Sequence, residues 1–170
     1  DIDIEGTFFE FRLDSNESNG GLERYISIDA IQVYLGNDND LTGFNDPTDP
    51  GADGFGSNAV RIYSLDSLVT VDGSLYDPST YILLNDILSG SGVADMVFYL
   101  PTSVVLGTDT SVYQWIYLYS EFGFTTTHVL AGDSTDNDNN PDIDDPAGTT
   151  VSPQSDGGFE EWNVVVTMDI

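Results

Sequence analysis

Apolar and polar side chains alternate with a period of two along much of this chain. In "FEEWNVVVTMDI", Trp162, Val164, Val166, Met168 and Ile170 fall on one side. Glu161, Asn163, Thr167 and Asp169 fall on the other, and Val165 alone is out of phase. That is the pattern of a half-buried strand. The opening "DIDIEGTFFEFRL" sets Ile2, Ile4 and Phe8 against Asp3, Glu5 and Thr7 until Phe8 and Phe9 run together. "RYISIDAIQVYL" is apolar almost throughout and changes phase near Asp29, which predicts a strand with a bulge or bend at that residue. "AVRIYSL", "LVTV", "TYILLN", "ADMVFYL", "VYQWIYLYSEF" and "TTTHVLA" complete the set of predicted strands. The one place for helix is a short turn in "STYILLNDILSG", capped by Asp77 or Ser79.

Eight or nine strands separated by Gly, Pro, Asn and Asp clusters predict an all-β chain. The expected architecture is an antiparallel β-sandwich, either jelly roll or Greek key. At 170 residues the chain is sized for one core, so residues 1–170 are expected to form a single domain. Two long segments, 36–57 and 131–158, then become loops between strands. Loops of this length without structure of their own are usually functional or disordered.

Charge sharpens the question of what those loops do. The chain carries 30 acids, three arginines (Arg12, Arg24, Arg61) and no lysine, a formal net charge of −27. Internal ion pairs therefore cannot neutralise it, and bound divalent cations or condensed counterions must offset the repulsion. Nucleic acid and anionic membranes are excluded as partners by like charge. The 39% hydrophobic content is too high for a disordered acidic tract, so acids and core must be segregated. Twelve of the 30 acids lie in the two loops.

Those loops have the chemistry of calcium ligands. Calcium takes six to eight oxygens from a flexible segment, and "DNDNNPDIDD" offers Asp136, Asp138, Asn140, Asp142 and Asp145. The D-x-D-x-N opening matches known calcium loops, but an EF-hand's glycine at position six and glutamate at position twelve are missing. This stretch resembles the looser aspartate-rich loops of exported proteins such as thrombospondin type 3 repeats. "NDNDLTGFNDPTDPGADGFG" repeats the composition with Asp38, Asn39, Asp40, Asn45, Asp46, Asp49 and Asp53, and its Phe44 and Phe55 are placed to pin the loop to the body. Asp outnumbers Glu 23 to 7, whereas an acidic surface serving solubility alone would use Glu as readily. Calcium is the expected cofactor; an Asp-rich surface adapted to high salt is the competing reading.

A second constellation is aromatic. Tyr113, Trp115, Tyr117 and Tyr119 share one face of "VYQWIYLYS", with Val112, Ile116 and Leu118 on the other. With both faces apolar, the strand is either central or meets a partner. Rows of Tyr and Trp also stack sugar rings, which makes a glycan the alternative ligand.

Catalytic signatures are missing. Cysteine is absent, which excludes disulfides, thiolate catalysis and cysteine–metal sites. His128 stands alone without a recognisable nucleophile or zinc motif around it. Glu10, Glu121, Glu160 and Glu161 are the carboxylates available for a glycosidase pair, at separations the sequence does not give. The expectation is a protein that is not an enzyme. No window approaches the ~20 apolar residues of a membrane span, and a start at Asp1 fits a mature or trimmed chain.

"IYLYSEFG" and "DGGFEEW" resemble the closing segments of exported bacterial β-domains, found in surface or matrix proteins with a separate C-terminal anchoring signal. The resemblance implies an extracellular or cell-surface location. Taken with the residues, it leads to the expectation of a calcium-stabilised structural protein that associates with itself, as homo-oligomer or homopolymer, into a filament, sheet or matrix. A carbohydrate-binding module or adhesin domain is the alternative.

Overall fold

The computed structural model describes residues 7–15, 25–45, 54–65, 69–71, 74–76, 80–85, 94–123, 128–129, 150–151 and 161–167. These residues are mostly strand, and each of the nine stretches read as strands contains one. In chain order they are β1 (Phe8–Asp14), β2 (Tyr25–Gly36), β3 (Ala59–Ser64), β4 (Val69–Val71), β5 (Ser74–Tyr76) and β6 (Ile82–Asn85). β7 (Met96–Pro101), β8 (Trp115–Phe122), β9 (His128–Val129), β10 (Thr150–Val151) and β11 (Glu161–Thr167) follow. Two short 3-10 turns, Gly56–Asn58 and Thr102–Val105, are the helical elements among the described residues. The helical turn considered near "TYILLN" gives way to β6 at Ile82–Asn85; Asp77 and Ser79 lie outside the described residues.

Pairing is antiparallel throughout and builds sheets of three and four strands. The smaller has the order β11–β1–β7, with Phe11 opposite Val164 on one side and Phe98 on the other. The two strands nearest the ends of the chain are thus hydrogen-bonded to each other. The larger sheet is organised by the twelve residues of β2. β8 runs along one edge of β2, while β3 and β6 share the opposite edge end to end, as Ile28 shows by pairing with Phe122 on one side and Ile82 on the other. Two ribbons, β4–β5 and β9–β10, stand apart from these sheets.

The phase change read at Asp29 is a register shift between Ile28 and Ala30 in the pairing with β8. One extra residue there lets Ile26 and Ile28 on one side of the shift, and Ile31 and Val33 on the other, join the same core. Without it the second pair would face away, because strand side chains alternate. The core also takes Phe11 and Leu13 from β1, Leu84 from β6 and Leu100 from β7, so both sheets contribute to shared apolar clusters. Trp162 of β11 packs against both clusters, and its indole N–H donates to Ser120 Oγ of β8 at 3.1 Å. This polar contact ties the last strand of one sheet to the other sheet.

Phe11 is fully buried, whereas Val97 is 42% exposed. Replacing Phe11 with Ala should therefore cost about 3–5 kcal/mol, and Val97→Ala less than about 0.5 kcal/mol. Urea unfolding of the two variants measures the contrast, and equal losses would show that the core does not run through Phe11.

Candidate functional site

The aromatic face of β8 and the first acidic loop meet on the side of β2 that faces away from the core. Ile116, Leu118 and Phe122 pack against the core clusters, so Trp115, Tyr117, Tyr119 and Glu121 take the opposite face of the strand. Tyr117 lies directly across from Tyr34 of β2, and Tyr119 from Gln32. Among the described residues β8 pairs with β2 alone. Its outward face meets a partner from the same chain, the loop that follows β2.

Phe44 and Phe55 provide that cover. Phe44 lies 4.4 Å between ring centroids from Tyr119 and 5.9 Å edge-on from Tyr34. Phe55 lies 5.0 Å from Tyr117 and 5.7 Å edge-on from Tyr34, and the two phenylalanines touch at 5.1 Å. Tilted and edge-to-face pairs at these separations each contribute about 0.5–1.5 kcal/mol beyond area burial. Tyr34 is the hub, buried to 3% exposure although it faces away from the core, with its hydroxyl donating to Gln32.

Polar contacts complete the clasp. The Tyr117 hydroxyl accepts from the Leu41 amide at 2.9 Å and donates to the Asp38 carbonyl at 2.8 Å, fixing the descending arm of the loop. Asn45 and Gly54 exchange two backbone hydrogen bonds of 2.8 and 3.0 Å, which closes the base of the segment between them. Gly54 has φ +67°, and a Cβ there would stand 2.9 Å from the Tyr34 ring. Gly36 leaves room for the same arrangement, since its added Cβ would lie 2.6 Å from Tyr117 and 2.7 Å from Leu41. Glycine is required at both positions because rings press directly on backbone.

The predicted metal ligands divide accordingly. Asp38 and Asp40 are exposed on the descending arm, with Asp38 Oδ1 accepting from the Asn39 amide at 2.7 Å. Asp46, Asp49 and Asp53 fall in residues 46–53, and Asp136, Asp138, Asn140, Asp142 and Asp145 in residues 130–149; all eight lie outside the described residues. No group of three or more His, Cys, Asp or Glu placed to hold a metal ion occurs among the described residues. Residues 46–53 begin and end at the bridged pair Asn45–Gly54, so the entry and exit of that acidic stretch are held together by the clasp.

The aromatic row is divided as well. Tyr117 and Tyr119 lie under Phe55 and Phe44, and the Tyr119 hydroxyl donates to Glu121. Trp115 is 47% exposed at the start of the strand, and Tyr113 reaches the Ser57 carbonyl at 3.4 Å. The four residues therefore do not form one open platform. Glu10 and Glu121 do not meet either: Glu10 sits on the non-core face of β1, buried and ion-paired with Arg12, while Glu121 is on the non-core face of the other sheet. Glu160 lies outside the described residues.

Tyr34, Gly36 and Gly54 are the site residues that patterning did not single out. Tyr34 is hidden in a continuous apolar run. The available signal was the placement of two phenylalanines, one on each side of an acidic stretch that is otherwise polar.

The turn leading into β8 has its own electrostatic feature. Asp109 Oδ1 accepts from the side chain and the backbone N–H of Ser111, at 2.6 and 3.0 Å, and these bonds hold its carboxyl below the usual aspartate range. Among the described residues no helix is long and apolar enough to cross a membrane. The chain matches no protein-family model, and no curated protein or solved structure is significantly similar to it.

Two measurements probe this geometry. Tyr117→Phe removes both hydroxyl contacts, so it should cost roughly 1–2 kcal/mol and speed hydrogen exchange at the Leu41 amide; unchanged exchange would mean the hydroxyl does not hold the loop. An NMR pH titration should place the Asp109 midpoint below that of other exposed aspartates, with Ser111→Ala returning it upward. The folded value lies below the unfolded one, so the turn's contribution is complete at neutral pH and is lost as pH falls through the folded value. A midpoint unmoved by Ser111→Ala would refute the hydrogen-bond cause.

Proposed function

We propose that this chain is an extracellular, non-enzymatic structural β-sandwich whose acidic loops bind calcium and which assembles with itself. The observation that carries the reading is the clasp: residues 46–53, with Asp46, Asp49 and Asp53, run between two residues hydrogen-bonded to each other and flanked by Phe44 and Phe55, whose rings pack on buried Tyr34. A loop whose ends are held in advance loses less conformational entropy when its oxygens converge on an ion. Aspartate in place of glutamate, asparagine interleaved with it, and a net charge of −27 with so few arginines favour the same reading. Asp136, Asp138, Asn140, Asp142 and Asp145 supply the second proposed site. Calcium then has two roles, cross-linking a loop and lowering the repulsion between copies.

The resemblance of "IYLYSEFG" and "DGGFEEW" to exported bacterial surface domains supports the extracellular location. For the carbohydrate-binding alternative, the exposed ring of Trp115 with Tyr113 beside it is the surface that favours a sugar. Covered Tyr117 and Tyr119 leave that surface small.

Calcium that binds only the folded chain stabilises it by about 2.7 kcal/mol per site at a hundredfold excess over Kd. The melting temperature should rise in calcium, fall in chelator and respond much less to magnesium, which dehydrates reluctantly and demands octahedral geometry. Identical melting curves in calcium and in chelator at fixed ionic strength would overturn the calcium reading. Binding on a glycan array that Trp115→Ala abolishes would move the assignment to the alternative.

A further inference from the structure

Association between copies of so acidic a chain needs a surface from which the acids are absent. The three-stranded sheet has two such edges. β7 reads Met96-Val97-Phe98-Tyr99-Leu100-Pro101 without Asp, Glu, Lys, Arg or His, and β11 carries no charge from Trp162 to Thr167. Among the described residues each of these strands pairs with β1 alone. The edges of the other sheet differ: β8 carries Glu121, β3 carries Arg61, and β6 spans only Ile82–Asn85.

Backbone direction makes these edges usable. Thr102 N–H donates to the Thr7 carbonyl, and antiparallel ladders alternate bonded and unbonded positions. Counting in steps of two along the register, Met96, Phe98 and Leu100 turn their backbone groups toward β1. Val97 and Tyr99 turn theirs outward. The same count across β1 points the backbone groups of Trp162, Val164 and Val166 away from the sheet. Val97, Tyr99 and Val164 are 42%, 36% and 41% exposed, which puts apolar side chains beside the outward amides. Natural edge strands are usually blunted by lysine, by a central proline or by an inward charge. Neither strand has these guards apart from Pro101 at the last position of β7 and the charge of Glu161 at the first position of β11.

We propose that β7 and β11 are the joints through which a second copy of this chain adds, so that the three-stranded sheet continues edge to edge from copy to copy. The occupant is another copy because the contact matches two short, extended edges, each with six uncharged residues in a row (Met96–Pro101 and Trp162–Thr167), carried by the same sheet. A body bearing −27 can be approached by its like at such edges once salt or divalent cations screen the rest. β1 takes no part, because both of its edges are already paired. The proposal rests on the self-assembly reading above and adds to it the place and the chemistry of the contact.

Proline at an outward-facing position removes an edge donor without breaking the ladder inside the chain. Val97→Pro therefore blocks β7, and Val164→Pro blocks β11. Val97→Glu provides a version of the β7 block that does not depend on proline being tolerated, and Val164→Glu serves β11. Sedimentation velocity on the full chain is run over increasing concentration, in low salt, in high salt and in calcium, with circular dichroism and melting curves to confirm folding. The expected result is growth of the unaltered chain beyond dimers in high salt or calcium, nothing larger than dimers for either single block (dimers where like edges join, monomers where β7 of one copy joins β11 of the next), and monomers for the double block. Assembly of a folded double variant indistinguishable from the unaltered chain would overturn the edge proposal and leave self-assembly standing. A chain that stays monomeric under all three conditions would overturn both.

Discussion

Burial on both faces of β2 is the constraint on which the other elements depend. A strand covered on one side only reads as alternating, but Tyr25–Gly36 is buried at every position except Asp29. One face meets Phe11, Leu13 and Trp162 from the smaller sheet, and the other meets Phe44 and Phe55 from the loop that β2 itself leads into. The loop is consequently part of the packing of the sheet. Removing it would uncover Tyr34 and Tyr117 on that face of the sheet.

That arrangement separates two tasks within about twenty residues. Leu41, Phe44, Phe55 and the Asn45–Gly54 bridge hold the segment by apolar contact and backbone hydrogen bonds, which are insensitive to ionic strength. The carboxylates of the same segment repel one another and are strongly sensitive to it. Anchoring thus does not compete with the acids for the same groups, and changes in salt act on the charged stretch without first loosening its base.

Much of this was legible in the chain, and what was not has identifiable causes. Strand positions followed from period-two alternation, and the Asp29 bulge from the one place where that alternation changed phase. Phe44 and Phe55 stood out because rings are costly in a solvated loop. Pairing partners did not follow, since nothing in "FFEFRLD" states that its neighbours are "EWNVVVT" and "MVFYLP", and contacts so distant along the chain are set by the collective packing of the core. The aromatic row on β8 was ambiguous for a related reason: both faces of that strand are apolar, and which is core depends on a sheet the strand has yet to join. β5 and β10, three and two residues long, were not read as strands.

The pairing of β1 with β11 also determines how the fold responds to mechanical load. Phe8 lies opposite Thr167, so the first and last described strands leave the sheet side by side at the same end of their ladder. A force drawing those ends apart acts along the interstrand hydrogen bonds and meets them one pair at a time, from Phe8↔Thr167 toward Asp14↔Glu161. Such a ladder opens like a zipper, at much lower force than strands sheared lengthwise with all their bonds loaded together. Tension carried from end to end through the chain would peel the sheet apart, whereas tension directed along the strands would find it stiff.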